Sequence, residues 1–213
     1  MLVSDVMSTN VVSIPSHISL AEARRILDAH RIRRLPVIDR GKLVGIVTKD
    51  ALDRTGPSQL TTFSVHEISY LVNKITVAEI MRRDVVTVTP EMTAEEAVAL
   101  AQTNRVGALV VVEGERVVGI TTTNDFFYKL LNPLLGIGMP GSRITVHSCY
   151  QGSDVEKVVA VINKLGGGVT TLLTTALLEG QKRDLVVHLD TEDSTQVTKE
   201  IRKLGYSVEA RAR

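Results

Sequence analysis

The chain repeats itself. When the sequence is shifted by 74 positions, its first part lies over its second without a gap. Asp5-Val6-Met7 falls on Glu79-Ile80-Met81, and Asn10-Val11-Val12-Ser13-Ile14 falls on Asp84-Val85-Val86-Thr87-Val88. Leu43-Val44-Gly45-Ile46 falls on Val117-Val118-Gly119-Ile120. Fixed-period self-similarity of this kind marks two structural copies of one unit, here of about 50 residues each.

Each copy predicts the same layout. A short strand, Val11–Ile14 or Val85–Val88, ends near Pro15 or Pro90. A helix follows, and Ser19-Leu20-Ala21-Glu22 and Thr93-Ala94-Glu95-Glu96 read as capping boxes at its start. In the first copy Leu20, Ala23, Ile26 and Leu27 recur at helical spacing. Two strands then flank a Gly-containing turn: Leu35–Ile38 and Leu43–Val47 in the first copy, Leu109–Val112 and Val117–Thr121 in the second. Their continuous apolar runs suit strands covered on both faces. Between the copies, Thr55-Gly56-Pro57-Ser58 reads as a loop and Ser64-Val65-His66-Glu67 as the cap of a short helix reaching about Val72.

A different unit follows the linker Gly136-Ile137-Gly138-Met139-Pro140-Gly141. It predicts a strand at Arg143–His147, then a helix capped by Ser153-Asp154-Val155-Glu156 and ended by Gly166-Gly167-Gly168. Strands at Val169–Thr175 and Leu185–Leu189, a helix over Thr195–Leu204 and a strand at Tyr206–Ala210 complete a βαββαβ order, the ferredoxin-like plan. The expected fold class is therefore α/β (α+β), divided into repeats at 1–54 and 75–131, connectors at 55–74 and 132–142, and a final unit at 143–213.

Composition narrows the function classes. Aromatic residues make up 3% and Trp is absent, so Val, Ile, Leu and Ala must fill the cores. A formal net charge of +1 supplies no global field for nucleic acid or an anionic membrane, so neither is an expected partner. One cysteine, Cys149, permits no intrachain disulfide. With no leader-like N-terminus and no apolar run near 20 residues, a cytoplasmic location is expected. His147 and Cys149 lie two apart, but nothing else completes a zinc site or a catalytic pair. No Walker-type loop or nucleophile elbow is present, so the expectation is a protein that is not an enzyme and has no catalytic cofactor.

The two repeats resemble CBS domains. The residues that carry the resemblance are the Asp-Val-Met and Glu-Ile-Met starts, Arg34-Leu35-Pro36-Val37, and the strands ending Gly45-Ile46-Val47-Thr48 and Gly119-Ile120-Thr121-Thr122. The C-terminal unit looks like an ACT domain, and Phe63–Leu71 resembles the connector of acetoin-utilisation-type CBS–ACT proteins. The resemblance implies a pseudo-two-fold disc made of both repeats, usually dimerised. It also implies an adenosine-containing regulatory ligand (AMP, ADP, ATP or S-adenosylmethionine) in the clefts between repeats.

By the same resemblance, a Gly-x-x-Thr/Ser-x-x-Asp motif binds ribose. The second repeat has it whole in Gly119, Thr122 and Asp125, with Asn124 alongside. An ionised carboxylate suits a cis-diol because it accepts hydrogen bonds from both hydroxyls. The first repeat keeps Thr48 but has Ala51 opposite Asp125, with Asp50 one position early, so any second site at Thr48 and Asp50 is expected to be weak. Arg33 and Arg34 are candidate phosphate cations, and Val86, Val106 and Ile120 candidate walls for adenine. The expectation is one asymmetric site per chain.

Plainer readings stand beside these. Asp125 is also suited to capping a helix that starts at Phe126. Arg33 and Arg34, with Arg24, Arg25 and Arg31, also read as a solvated basic face, and Met7 and Met81 as core. In the ACT-like unit the loop Ser148-Cys149-Tyr150-Gln151-Gly152 keeps the family's Gly but lacks its Asp, and Gly168 stands where Asn is common, which favours packing or dimerisation over ligand binding. Alternative functions are a ligand-free interaction module and an enzyme of acetoin catabolism.

Overall fold

The computed structural model describes residues 1–55, 74–175 and 183–212. These form two compact units, Met1–Phe127 and Tyr128–Arg213. The expected loop at 56–58 and short helix at 64–72 lie outside the described residues.

In the first unit, α1 (Val3–Val6), α2 (Leu20–His30), β1 (Arg34–Asp39), β2 (Lys42–Thr48) and α3 (Lys49–Thr55) form the first series of elements. The second series is α4 (Val77–Ile80), β3 (Thr87–Val88), α5 (Ala94–Thr103), β4 (Ala108–Glu113) and β5 (Arg116–Thr122). Both hairpins are antiparallel and shift register at the same place, between Val37 and Ile38 and between Val111 and Val112. The strand expected at Val85–Val88 shortens to β3, which pairs in parallel with β4. The one expected at Val11–Ile14 contracts to a single parallel bridge from Ile14 to Val37. Helix α2 starts where expected, with the Ser19 hydroxyl accepting from the Glu22 N–H at 3.2 Å. Of the two boxes expected from the sequence, that of α5 is fully reciprocal, because the Glu96 carboxylate also reaches back to the Thr93 N–H.

The repeats exchange their leading segments. The first segment is bonded to the second repeat: Val3 N–H donates to Met92 O, and Ser8 and Ile120 exchange both backbone hydrogen bonds. The segment before the second repeat does the same to the first: Val77 N–H donates to Ile18 O, while Arg82 and Ile46 exchange bonds. Methionine and glycine make this exchange tight. A Cβ on Gly119 would stand 2.5 Å from Met7 Sδ, and one on Gly45 would stand 2.6 Å from Met81 Sδ. Only a glycine strand lets the incoming methionine lie flat against the backbone. The core of the first repeat accordingly combines Leu20, Ala23, Leu27, Leu35, Val37 and Val47 with Val77 and Met81 from the exchanged segment. Burying a side chain of Leu size contributes about 1.5–3 kcal/mol, so the swap ties the two repeats thermodynamically.

The second unit has β6 (Ser142–Val146), α6 (Gly152–Lys164), β7 (Val169–Thr175), β8 (Asp184–Leu189), α7 (Thr195–Lys203) and β9 (Val208–Ala212). Its four strands are antiparallel in the order β7-β8-β6-β9. Ile144, Val146, Leu185, Val187 and Leu189 face Val158, Ile162, Val197 and Ile201 of the two helices in one core. One helix cap and one strand start depart furthest from expectation. Helix α6 starts at Gly152 after Gln151 with no side-chain cap, so Ser153 lies inside the helix and not at its cap, and Asp154 accepts from the Tyr206 hydroxyl at 2.6 Å. The last strand begins at Val208, two residues late, because Gly205 at φ +92° and Tyr206 carry the turn from α7.

Candidate functional site: two related clefts

The segment exchange determines which residues meet. Each cleft of the first unit takes the strand-to-helix turn of one repeat and the leading segment of the other. We call them the Asp125 cleft and the Ala51 cleft after the residues that occupy one equivalent position.

The Asp125 cleft has a volume of about 380 Å³ and is lined by residues from both repeats. The second repeat supplies Ile120, Thr122, Asn124 and Asp125; the first supplies Ser8, Asn10, Val12, Ile32 and the arginines Arg31, Arg33 and Arg34. Asp125 does not cap a helix starting at Phe126. It is the third residue of a short turn whose cap is Thr122, and its Oδ2 accepts from the Thr122 hydroxyl at 2.6 Å and the Thr122 N–H at 2.9 Å. Those bonds fix the carboxylate. Its Oδ1 lies 3.5 Å from the Ser8 hydroxyl, across the repeat boundary.

The Ala51 cleft, about 330 Å³, is lined by the equivalent set: Ile46, Thr48 and Ala51 from the first repeat, and Arg82, Asp84, Val86, Arg105 and Val106 from the second. The turn is the same one without its acid. Thr48 Oγ1 accepts from the Ala51 N–H at 3.1 Å, as Thr122 Oγ1 accepts from the Asp125 N–H at 3.4 Å.

Of the residues expected at one nucleotide site, Thr122, Asn124, Asp125, Ile120, Arg33 and Arg34 do come together. Val86 and Val106 do not. They line the Ala51 cleft, and their counterparts by the 74-residue shift, Val12 and Ile32, wall the Asp125 cleft. Each cleft joins the strand-to-helix turn of one repeat to side chains from the body of the other, so Val86 and Val106 fall in the other cleft while Ile120, beside the turn, stays with the carboxylate. Asp50 turns to the surface, where its carboxylate takes Arg33 Nη2 at 2.8 Å with both side chains more than 60% exposed. Arg33 therefore comes to the cleft rim already paired.

Arg34 lines both clefts. Its guanidinium lies against Gly107, where a Cβ would stand 2.4 Å from Nη2. Burial, and then the neighbouring Arg33 charge, lower its pKa, while Asp50 acts in the opposite direction. The group still stays protonated, since arginine does not titrate in proteins, and a half-buried cation favours an anion nearby.

Sequence reasoning missed Ser8, Asn10 and Arg105, and placed Arg31 only on a solvated face. A signal for the two arginines exists in the backbone. Arg31 and Arg105, equivalent by the shift, both sit at φ +53° at the end of the repeat's helix. Non-glycine residues rarely adopt that region, where glycine would be less strained. Both strained positions carry an arginine that lines a cleft.

In the second unit, Cys149 is fully buried, and burial pushes its thiol pKa up, against nucleophilic use. His147 Nδ1 lies 2.9 Å from Asp184. Gly168 donates its N–H to Asp190 at 3.0 Å, and a side chain at this position would have to displace that carboxylate. Among the described residues no group of three or more His, Cys, Asp or Glu is arranged to hold a metal ion, and no helix is long and apolar enough to cross a membrane.

Comparison with known proteins agrees with the two repeats. The CBS domain model matches residues 3–55 and 77–132, together just over half of the chain. The chain belongs to the CBS-domain family, and its first unit is a CBS pair on a mixed α/β fold. It is 35% identical over 126 residues to an L-aspartate semialdehyde sulfurtransferase of Methanocaldococcus jannaschii, covering 58% of this chain and 22% of that protein. It is 30% identical over 150 residues to an inosine-5'-monophosphate dehydrogenase of Korarchaeum cryptofilum, covering 70% of this chain and 28% of that one. The matches thus span under a third of these two relatives. Among solved structures, a Vibrio cholerae protein provisionally assigned to acetoin utilization (AcuB) is similar with a TM-score of 0.51 and 28% identity, covering 62% of this chain and 91% of that one.

Proposed function

We propose that this protein is a regulatory sensor that binds one adenosine-containing ligand per chain in the Asp125 cleft. The observation that carries the reading is the turn itself: a carboxylate clamped by Thr122 faces Ser8 across the repeat boundary, with three arginines lining the same cleft. The carboxylate accepts from a ribose diol, Val12 and Ile32 flank the base, and Arg31 and Arg34 meet phosphate or another anionic group. Residues of both repeats line the cleft, so a ligand there bears on their relative packing, and a differential affinity for two packings is what a regulatory ligand requires.

The second unit, in this reading, is a ferredoxin-like ACT-type module whose sheet and helices serve pairing of two chains in a homodimer and not amino-acid binding. Its strand order and the Gly168–Asp190 contact support that assignment.

Isothermal titration of AMP, ADP, ATP, adenosine and S-adenosylmethionine tests the sensor reading. At least one should bind at one per chain, and Asp125→Ala should weaken it roughly ten- to a hundred-fold, the loss of hydrogen bonds to a charged group. Absence of binding by the whole panel, or unchanged affinity in Asp125→Ala, would favour a ligand-free interaction module.

A further inference from the structure

We propose that the Ala51 cleft is a separate site for a free oligophosphate, a compact polyanion recognised without a ribose diol. The proposal stands independently of adenosine binding at Asp125.

The two clefts share a floor and differ at the rim. Val86 and Val106 stand where Val12 and Ile32 stand in the other cleft, and Thr48 where Thr122 does. Ala51 replaces the carboxylate, so nothing at the turn accepts from paired hydroxyls. Cations gather in its place: Arg34, Arg54, Arg82 and Arg105 all line the Ala51 cleft. Arg82 occupies the position of Ser8, a substitution of charge for a hydroxyl at the point nearest the missing acid.

Little among the described residues balances that charge. The one acid among the described residues that line the cleft is Asp84, whose side chain is 94% exposed and 3.8 Å from Arg82. Arg34, Arg54 and Arg105 form no ion pair with any described residue. Arg34 is held in place by the absence of a side chain at Gly107, and Arg105 is held at φ +53°. An anion with several oxygens can meet several guanidinium groups that line one cleft, and arginine's fork geometry suits phosphate oxygens. A cleft of about 330 Å³ falls inside the range of about 300–1,000 Å³ usual for small-molecule sites.

The same chemistry has a second source, the phosphate tail of a nucleotide seated in the Asp125 cleft, since Arg34 borders both. Titration of inorganic tripolyphosphate into the full chain, with and without saturating adenosine, separates the two. The expected result is one tripolyphosphate per chain, bound equally well with adenosine present. Arg105→Gln and Arg82→Gln, neither of which lines the Asp125 cleft, should each weaken it about tenfold or more. Asp125→Ala should leave it within about twofold. Loss of adenosine binding with tripolyphosphate intact would remove the sensor reading and leave this one standing. Four results would overturn it: no tripolyphosphate binding, many weak equivalents insensitive to both arginine variants, a loss that tracks Asp125→Ala, or displacement by adenosine.

Discussion

The Asp125 cleft and the Ala51 cleft are one design executed twice with different rims. Both use a threonine to hold the first turn after a hairpin, both take a leading segment from the opposite repeat, and both end a helix on an arginine at φ +53°. They part at a handful of positions: Asp125 against Ala51, Ser8 against Arg82, Asn10 against Asp84. In the proposed reading the backbone of the repeat fixes where a ligand sits, while one carboxylate and one extra cation set which kind of ligand each cleft takes.

The shared frame is the part most easily broken. Gly45→Val and Gly119→Val each put a side chain into the methionine of the exchanged segment, and overpacking of this kind costs about 1–3 kcal/mol. Gly45→Val should be the costlier, because its Cβ would also stand 3.1 Å from the Arg82 backbone oxygen, which cannot swing aside as a thioether can. Thermal unfolding should show both variants several degrees below the parent, in that order. Equal or negligible shifts would mean that the methionine contacts do not bind the repeats together.

A smaller effect separates the clefts through Arg34. Gly107→Ala pushes on the far end of that flexible side chain, so the fold should tolerate it within about 0.5 kcal/mol. The guanidinium must nonetheless leave the Ala51 cleft. Tripolyphosphate binding should fall severalfold in titration, and adenosine binding should hold. The reverse pattern would place the functional position of Arg34 wholly in the Asp125 cleft.

The smallest effect is expected at Asp50. Its ion pair with Arg33 is exposed on both sides, and such pairs contribute about 0–1 kcal/mol. Asp50→Ala should change adenosine affinity by less than about threefold. An effect as large as that of Asp125→Ala would mean that Asp50, and not the residue at 51, is the ribose acceptor of the first repeat.

Much of this comparison is legible in the chain itself, and the illegible part has a physical cause. The shift of 74 positions exposes the repeat, the hairpins and the loss of the acid at Ala51, because these are local patterns. Asp125 and Thr122 of the motif line one cleft with Arg33 and Arg34, the candidate cations of the other repeat. Val86 and Val106 fall in the other cleft because each cleft is assembled between the two repeats, which is a long-range arrangement. No local pattern says that Ser8 bonds to Ile120 while Arg82 bonds to Ile46. A clue was present in the pairing of Met7 with Gly119 and of Met81 with Gly45, each a large flexible side chain matched to a strand glycine of the other repeat. The short strands were overestimated for a related reason: Val11–Ile14 has the composition of a strand, but only Ile14 reaches a partner.

In the proposed reading one carboxylate separates a ribose site from a site without one. Ala51→Asp restores that acid on a turn whose Thr48 hydroxyl already accepts the residue 51 N–H at 3.1 Å. Isothermal titration with adenosine should then give two equivalents per chain in place of one, with the original affinity at Asp125 unchanged. A stoichiometry that stays at one, in a variant that unfolds at the parent temperature, would contradict the claim.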